Sequence, residues 1–146
     1  DPRRPIGKDG SGEGAERCMR LALKGFDGKA VSKIDYINPH ATSTPRGDIA
    51  ELDAIRAVFG DNIPAISATK GLTGHSIAAI SAQEAVFCLL MMRDGFIAAS
   101  ANLGSTNAGY EHFPLVTVTK RYDIQSALST SIGFGGTNAA ILFLRR

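Results

Sequence analysis

The sequence predicts an α/β layered domain with a mixed sheet, and three observations carry that reading. Helix-spaced apolar residues alternate with short strand-like runs through the first two thirds of the chain. Strand signals then cluster at the end, where "SALSTSI" and "NAAILFL" flank the glycine-rich turn "GFGGT". A composition of 44% hydrophobic and 21% charged residues in a 146-residue chain suits one globular domain with its own core.

The elements follow in order. "DPRRPIGKDGSG" is polar and glycine-rich, and no initiator methionine precedes it. Residues 1–11 are therefore expected to be linker or a disordered start, residues 12–146 a single domain, and the whole a fragment. From Gly14 to Phe26, the apolar residues Ala15, Cys18, Met19, Leu21, Ala22 and Leu23 predict an amphipathic helix. "IDYIN" (34–38) reads as a short strand closed by Pro39. A helix follows from about Gly47, with Ile49, Leu52, Ile55 and Phe59 inward and "GDN" as its stop. "PAISA" (64–68) is the next strand. Ser76 to Met92 reads as one long helix ending at "RDG". Gln83 and Glu84 near its centre disfavour a membrane span and favour a buried core helix. Residues 96–112 lack periodicity and read as loop, and "PLVTVT" (114–119) alternates like a strand.

Several function classes are disfavoured. A net charge of +2, with no basic run interleaved with aromatics, points to neither nucleic acid nor membrane. Cys18 and Cys88 lie seventy residues apart without a C-x-x-C, which argues against a disulfide framework or a zinc site and fits a reducing cytosol. Both fall inside apolar helix runs, where cysteine is an inert small hydrophobe. No H-E-x-x-H or H-x-H spacing, G-x-S-x-G elbow or P-loop is present, and no signal peptide is visible.

Four constellations remain. In "NPHATSTPRGDIAE", His40 stands beyond a strand end, where α/β folds place ligands, and is either a working residue or an ordinary loop histidine. Thr44 before Pro45 reads as a helix cap, and Asp48 with Glu51 has capping-box spacing. In "TKGLTGHS", His75 at a helix start should be neutral, because the helix field disfavours imidazolium. A neutral ring there can donate to a developing oxyanion, with Lys70 adding positive charge; the alternative is a glycine turn with a surface lysine. "GFGGTN" (133–138) is either a plain hairpin turn or an anion-holding nest of backbone N–H groups. Glu84, the one formal charge between Ser76 and Met92, needs a cation or hydrogen-bond cluster if buried, or else sits at the rim. The residues alone describe a place to stabilise negative charge, without a nucleophile.

In this order and spacing, "SGEGAERCM", "INPHATSTPRGDIAELDAI", "PAISATKGLTGHSIAA", "QEAVFCLLMMRDGFI" and "SIGFGGTNAAILF" resemble the C-terminal part of a β-ketoacyl-(acyl carrier protein) synthase. The resemblance covers about Gly12 to Leu144 and is nearest to elongating condensing enzymes. It implies a thiolase-like half: a mixed five-stranded sheet with helices packed on it, one half of a duplicated αβαβα architecture. His40 and His75 match the two catalytic histidines, and Lys70 the nearby lysine. Phe134 matches a gating phenylalanine whose backbone N–H forms part of an oxyanion hole, flanked by Gly133 and Gly135. Thr42 and Thr44 match threonines that contact the pantetheine arm, and Glu51 a glutamate in the network around the lysine. Asn38, Glu84, Ser129 and Thr130 match the ligands of a structural Na or K ion in some members; no cofactor is required. Implied partners are acyl carrier protein bearing malonyl and acyl groups, the N-terminal half of the same enzyme, and a second copy in a homodimer, all cytoplasmic. Ala41 replaces a common glycine, and Ile132 stands where some members carry a further phenylalanine. Neither Cys18 nor Cys88 matches the nucleophile, so the chain should be inactive alone. A polyketide-type ketosynthase shares every motif named here. A non-catalytic chain-length-factor-like partner often loses one of the histidines or the lysine, and this chain keeps all three. A degradative thiolase fits less well, since no cysteine follows Cys88.

Overall fold

The structure is a computed structural model and describes residues 12–25, 31, 33–104 and 109–145. The expected linker over 1–11 lies outside them. Helix α1 (Glu13–Leu23) buries Ala15 and Met19 and carries Glu13 and Glu16 in its first turn and Arg20 in its last, as the helix dipole favours. Strand β1 (Tyr36–Asn38), helix α2 (Gly47–Phe59) and strand β2 (Ala65–Ile66) follow. A one-turn helix α3 (Lys70–Thr73), a 3₁₀ turn (Ile77–Ala79) and helix α4 (Ile80–Asp94) come next. Strands β3 (Phe96–Ile97), β4 (Lys120–Arg121), β5 (Ser126–Ile132) and β6 (Asn138–Leu144) complete the chain.

The main sheet has the order β2-β1-β5-β6. β1 runs parallel to both β2 and β5, and β6 returns antiparallel to β5 with Leu128 opposite Leu142. The sheet is mixed, as expected, but four-stranded. A fifth position beside β2 holds only one parallel bridge, Ile66 to Leu115. The expected strand over 114–119 ends there because Val116 turns its carbonyl away from the sheet, to the Ser100 N–H. β3 and β4 form a separate antiparallel pair.

Two apolar layers clasp the sheet. Ile37, Ile66 and Leu128 meet Ala15 and Met19 of α1 and Ala54 and Ile55 of α2 on one face. Tyr36 and Ala127, one residue out of phase, meet Cys88, Met91 and Met92 of α4 on the other. Close approach of α1 to α2 requires Gly12, since a Cβ there would lie 2.3 Å from the Ala50 carbonyl oxygen.

Two helix readings are corrected. The apolar run from Ser76 is not continuous helix: Gly74 and Ile77 both take positive φ, and α4 begins only at Ile80. Nor is α4 buried all round. Ile80, Glu84, Cys88, Met91 and Met92 form its inner stripe, while Val86 and Leu89 are half exposed. No described helix is long and apolar enough to cross a membrane.

Candidate active site

The parallel strands deliver the site to one end of the sheet. β1 ends at buried Asn38, and the chain turns at Pro39 to place His40. The turn is strained: Ala41 has φ 34° and Ser43 φ 61°. Glu51 of α2 holds it, accepting the His40 N–H on Oε1 (2.8 Å) and the Ala41 N–H on Oε2 (2.8 Å). The Thr130 hydroxyl donates to the same Oε1 at 2.6 Å. Burial pushes the Glu51 carboxyl above its ordinary value, against these three hydrogen bonds and the field of Lys70. Glu51 therefore does not cap its helix. The N-cap position of α2 is Arg46, which makes no side-chain cap bond; just before it, Thr44 Oγ1 accepts the Gly47 N–H and Asp48 accepts the Thr44 N–H.

His75 reaches the same place from the other side of the sheet. It lies not at the start of α4 but in the exposed segment between α3 and the 3₁₀ turn. Direct bonding therefore replaces the expected helix field: the Ile77 N–H donates to His75 Nδ1 at 3.0 Å. A nitrogen that accepts carries no proton, so the single N–H of this ring is at Nε2. Ile77 takes φ 52° to make this contact, a costly conformation for a β-branched residue. The His40 and His75 rings meet edge to face, centroids 5.3 Å apart at 89°. Burial, then Lys70, then His75 lower the His40 pKa to about 4, which keeps that ring neutral.

Lys70 is neither a surface lysine nor bound to Glu51. Its side chain is 6% exposed and its Nζ pairs with Oε1 of fully buried Glu84. This answers what Glu84 needs inside an apolar helix. Burial raises the Glu84 pKa, and the hydrogen bond and charge of Lys70 oppose that.

A cavity of roughly 730 Å³ joins these parts. His40, Thr42, Thr44, Glu51, His75, Gly133 and Phe134 all line it. Lys70 and Gly135 do not. Phe134 projects from the turn after β5 and is 85% exposed, while Gly135 and Gly136 take φ 77° and 82°. Sequence reasoning missed Arg46, Ala78 and Ser131 in the lining, and no pattern in the sequence marks them.

The four residues matched to a cation site are all buried, but Thr130 gives its hydroxyl to Glu51, on the sheet face opposite the side chain of its neighbour Ser129. Asn38 Nδ2 donates to Tyr36 Oη and the Ser67 carbonyl, which leaves its Oδ1 without a partner among the described residues. Glu84 Oε2 is likewise buried and unpartnered. Each is an oxygen of the kind a hard monovalent cation takes, although Lys70 already pairs with Glu84. Neither cysteine is a nucleophile by environment: burial raises the Cys18 thiol, and it raises Cys88 to about 12.

The family model described as "Beta-ketoacyl synthase, C-terminal domain" matches residues 2–104. The chain belongs to that family. The 3-oxoacyl-[acyl-carrier-protein] synthase 1 of Haemophilus influenzae is 52% identical over 136 residues, covering 92% of this chain and 32% of that protein. The Escherichia coli protein of the same name is 51% identical over 132 residues, covering 90% and 32%. Among solved structures, a beta-ketoacyl synthase from Burkholderia phymatum superposes with a TM-score of 0.85 at 32% identity, covering 93% of this chain and 33% of that one. A ketosynthase in complex with its type II PKS acyl-carrier protein superposes at 0.86 and 29% identity, covering 94% and 34%. The ketosynthase domain thus has a thiolase-like fold. It spans about a third of the length of the curated relatives it matches.

Proposed function

We propose that this domain is the decarboxylating portion of a 3-oxoacyl-(acyl carrier protein) synthase that elongates fatty acids. The observation that carries the reading is the pair of imidazoles, 5.3 Å apart on one cavity, one neutral by burial and the other presenting Nε2–H. Two N–H donors beside one thioester carbonyl stabilise the oxyanion that forms as malonyl loses carbon dioxide. The electrons of the broken carbon–carbon bond enter the enolate. Its carbon then attacks an acyl thioester carbonyl, and the thiolate of the cysteine bearing that acyl group departs. No cysteine of this chain has an environment for that role, so the nucleophile comes from the N-terminal half of the enzyme. Lys70 supports the site by its charge. Phe134 gates the acyl group, with Gly133 and Gly135 leaving its backbone open for the oxyanion. Thr42 and Thr44, on the cavity wall, take the pantetheine arm of acyl carrier protein. Asn38, Glu84, Ser129 and Thr130 would hold a Na or K ion. The intact enzyme is a cytoplasmic homodimer.

A polyketide-type ketosynthase is the second reading, favoured by the fit to the polyketide complex; profiling the acyl chains of the intact protein's products separates the two. Retention of His40, His75 and Lys70 together speaks against a non-catalytic chain-length factor. The decisive experiment measures decarboxylation of malonyl-carrier protein by the intact protein and by its His40→Ala and His75→Ala variants. Each variant is expected to lose on the order of a hundredfold or more in kcat. Undiminished turnover in either would overturn the assignment. The 146-residue chain alone is expected to form no ketoacyl product.

A further inference from the structure

We propose that Asn102 is a positioning residue that fixes the direction of Lys70, acting through the backbone of α3; the kinetic part of this inference rests on the decarboxylating role proposed above. Lys70 opens a helix of four residues. So short a helix has too few internal hydrogen bonds to define itself, and its geometry must come from outside. The loop that follows β3 supplies it. Asn102 donates from Nδ2 to the Gly71 carbonyl at 2.8 Å. Two residues earlier, Ser100 Oγ accepts the Ala68 N–H at 3.0 Å. These two bonds bracket Lys70 on either side. Between them the backbones touch: a Cβ at Gly71 would fall 2.3 Å from the Ala101 carbonyl oxygen.

The loop can act as an anvil because it is itself pinned. Ser100 N–H donates to the Val116 carbonyl at 2.8 Å, and Ala99 N–H to Thr119 Oγ1 at 3.1 Å. Asn102 adopts φ 59°, a conformation asparagine tolerates far better than most residues. The position therefore selects both a left-handed backbone and a side-chain donor. Lys70 needs such control. Its side chain is almost wholly enclosed, and its ammonium serves Glu84 on one side and the field at His40 on the other. A small rotation of α3 would break the first and weaken the second. His75, four residues after Gly71, hangs from the same turn.

Asn102→Gly keeps the left-handed backbone and deletes the donor, so loss of fold does not obscure the result. Asn102→Asp keeps the size and opposes a carboxylate to the Gly71 carbonyl. Both would be made in the intact protein. Acetic anhydride labelling, read by mass spectrometry, reports the enclosure of each lysine. In both variants Lys70 should label on the order of tenfold faster, while exposed Lys33 and Lys120 label as before. For decarboxylation of malonyl-carrier protein, kcat should fall roughly tenfold with KM within a factor of two, since misplacement harms chemistry more than binding. Lys70 as protected as in the parent, or equal gains at every lysine, overturns the positioning role. So does unchanged kcat in a folded variant with a freed Lys70. If the parent itself decarboxylates nothing while Lys70 labelling still responds, the decarboxylating reading fails and the positioning of Lys70 stands.

Discussion

His40 is kept uncharged by burial first, then by Lys70 and His75, all acting in one direction. Its ring is expected to titrate near pH 4, and Lys70→Ala should raise that midpoint; histidine NMR across pH 3–8 checks both, and a midpoint near the ordinary 6.5 in the parent would defeat the account. The effect on stability has a definite sign. Between pH 6.5 and about 4 the unfolded chain binds a proton at this ring that the folded chain refuses, so this ring's contribution to stability falls as pH drops through that window. Glu51 is the second residue with a measurable stake. Replacing it with alanine strands two backbone N–H groups and the Thr130 hydroxyl in a buried place. A loss of roughly 2–4 kcal/mol in denaturant unfolding is expected. The sequence offered Glu51 as part of a capping box, or by resemblance as a glutamate in the polar network around Lys70. Spacing along a helix cannot tell which way a carboxylate turns, and here it turns inward to the His40 backbone.

At the level of elements, what could be read from the sequence depended on whether a pattern had one solution. β5 and β6 fall on the two runs chosen from their apolar character and the glycine turn between them. α2 begins at Gly47 as its spacing suggested. The stretch from Lys70 to Ile80 had several solutions, and tertiary contacts chose among them. Its apolar composition continues smoothly into α4, yet the helix is interrupted where His75 must turn toward His40. The fifth strand failed for a similar reason, since Val116 finds its partner in Ser100. The strain at the loop after β1 carries its own test. Ala41 holds φ 34°, a region glycine enters freely, so the glycine that the resemblance implies here would sit without strain. Ala41→Gly should raise thermal stability by about 0.5–1 kcal/mol without moving the His40 ring; equal or lower stability would mean that the turn carries no strain.

The whole molecule leaves apolar surface on the side of α4. Val86 is 52% exposed, Leu89 50% and Leu90 37%, all on the face of α4 turned from the sheet, and Ile77 before it is 81% exposed. On the outer strand β6, Ile141 at 43% shares a face with Phe143, which packs toward the α4 layer. Burying such a side chain is worth about 1.5–3 kcal/mol, so several together supply enough to hold a partner surface. The relatives are about three times as long as this chain, so they have further chain that could cover this face. From sequence alone α4 looked wholly interior, because a helix apolar on most sides reads the same whether its second neighbour is present or absent. The isolated chain should therefore bind an apolar dye and associate at micromolar concentration. Val86→Lys with Leu89→Lys should suppress both while leaving the helix content unchanged, because neither side chain belongs to the inner stripe of Ile80, Glu84, Cys88, Met91 and Met92. Sedimentation velocity over a hundredfold dilution, alongside dye fluorescence, measures this. A parent chain that stays monomeric and dark throughout would show that this face needs no partner.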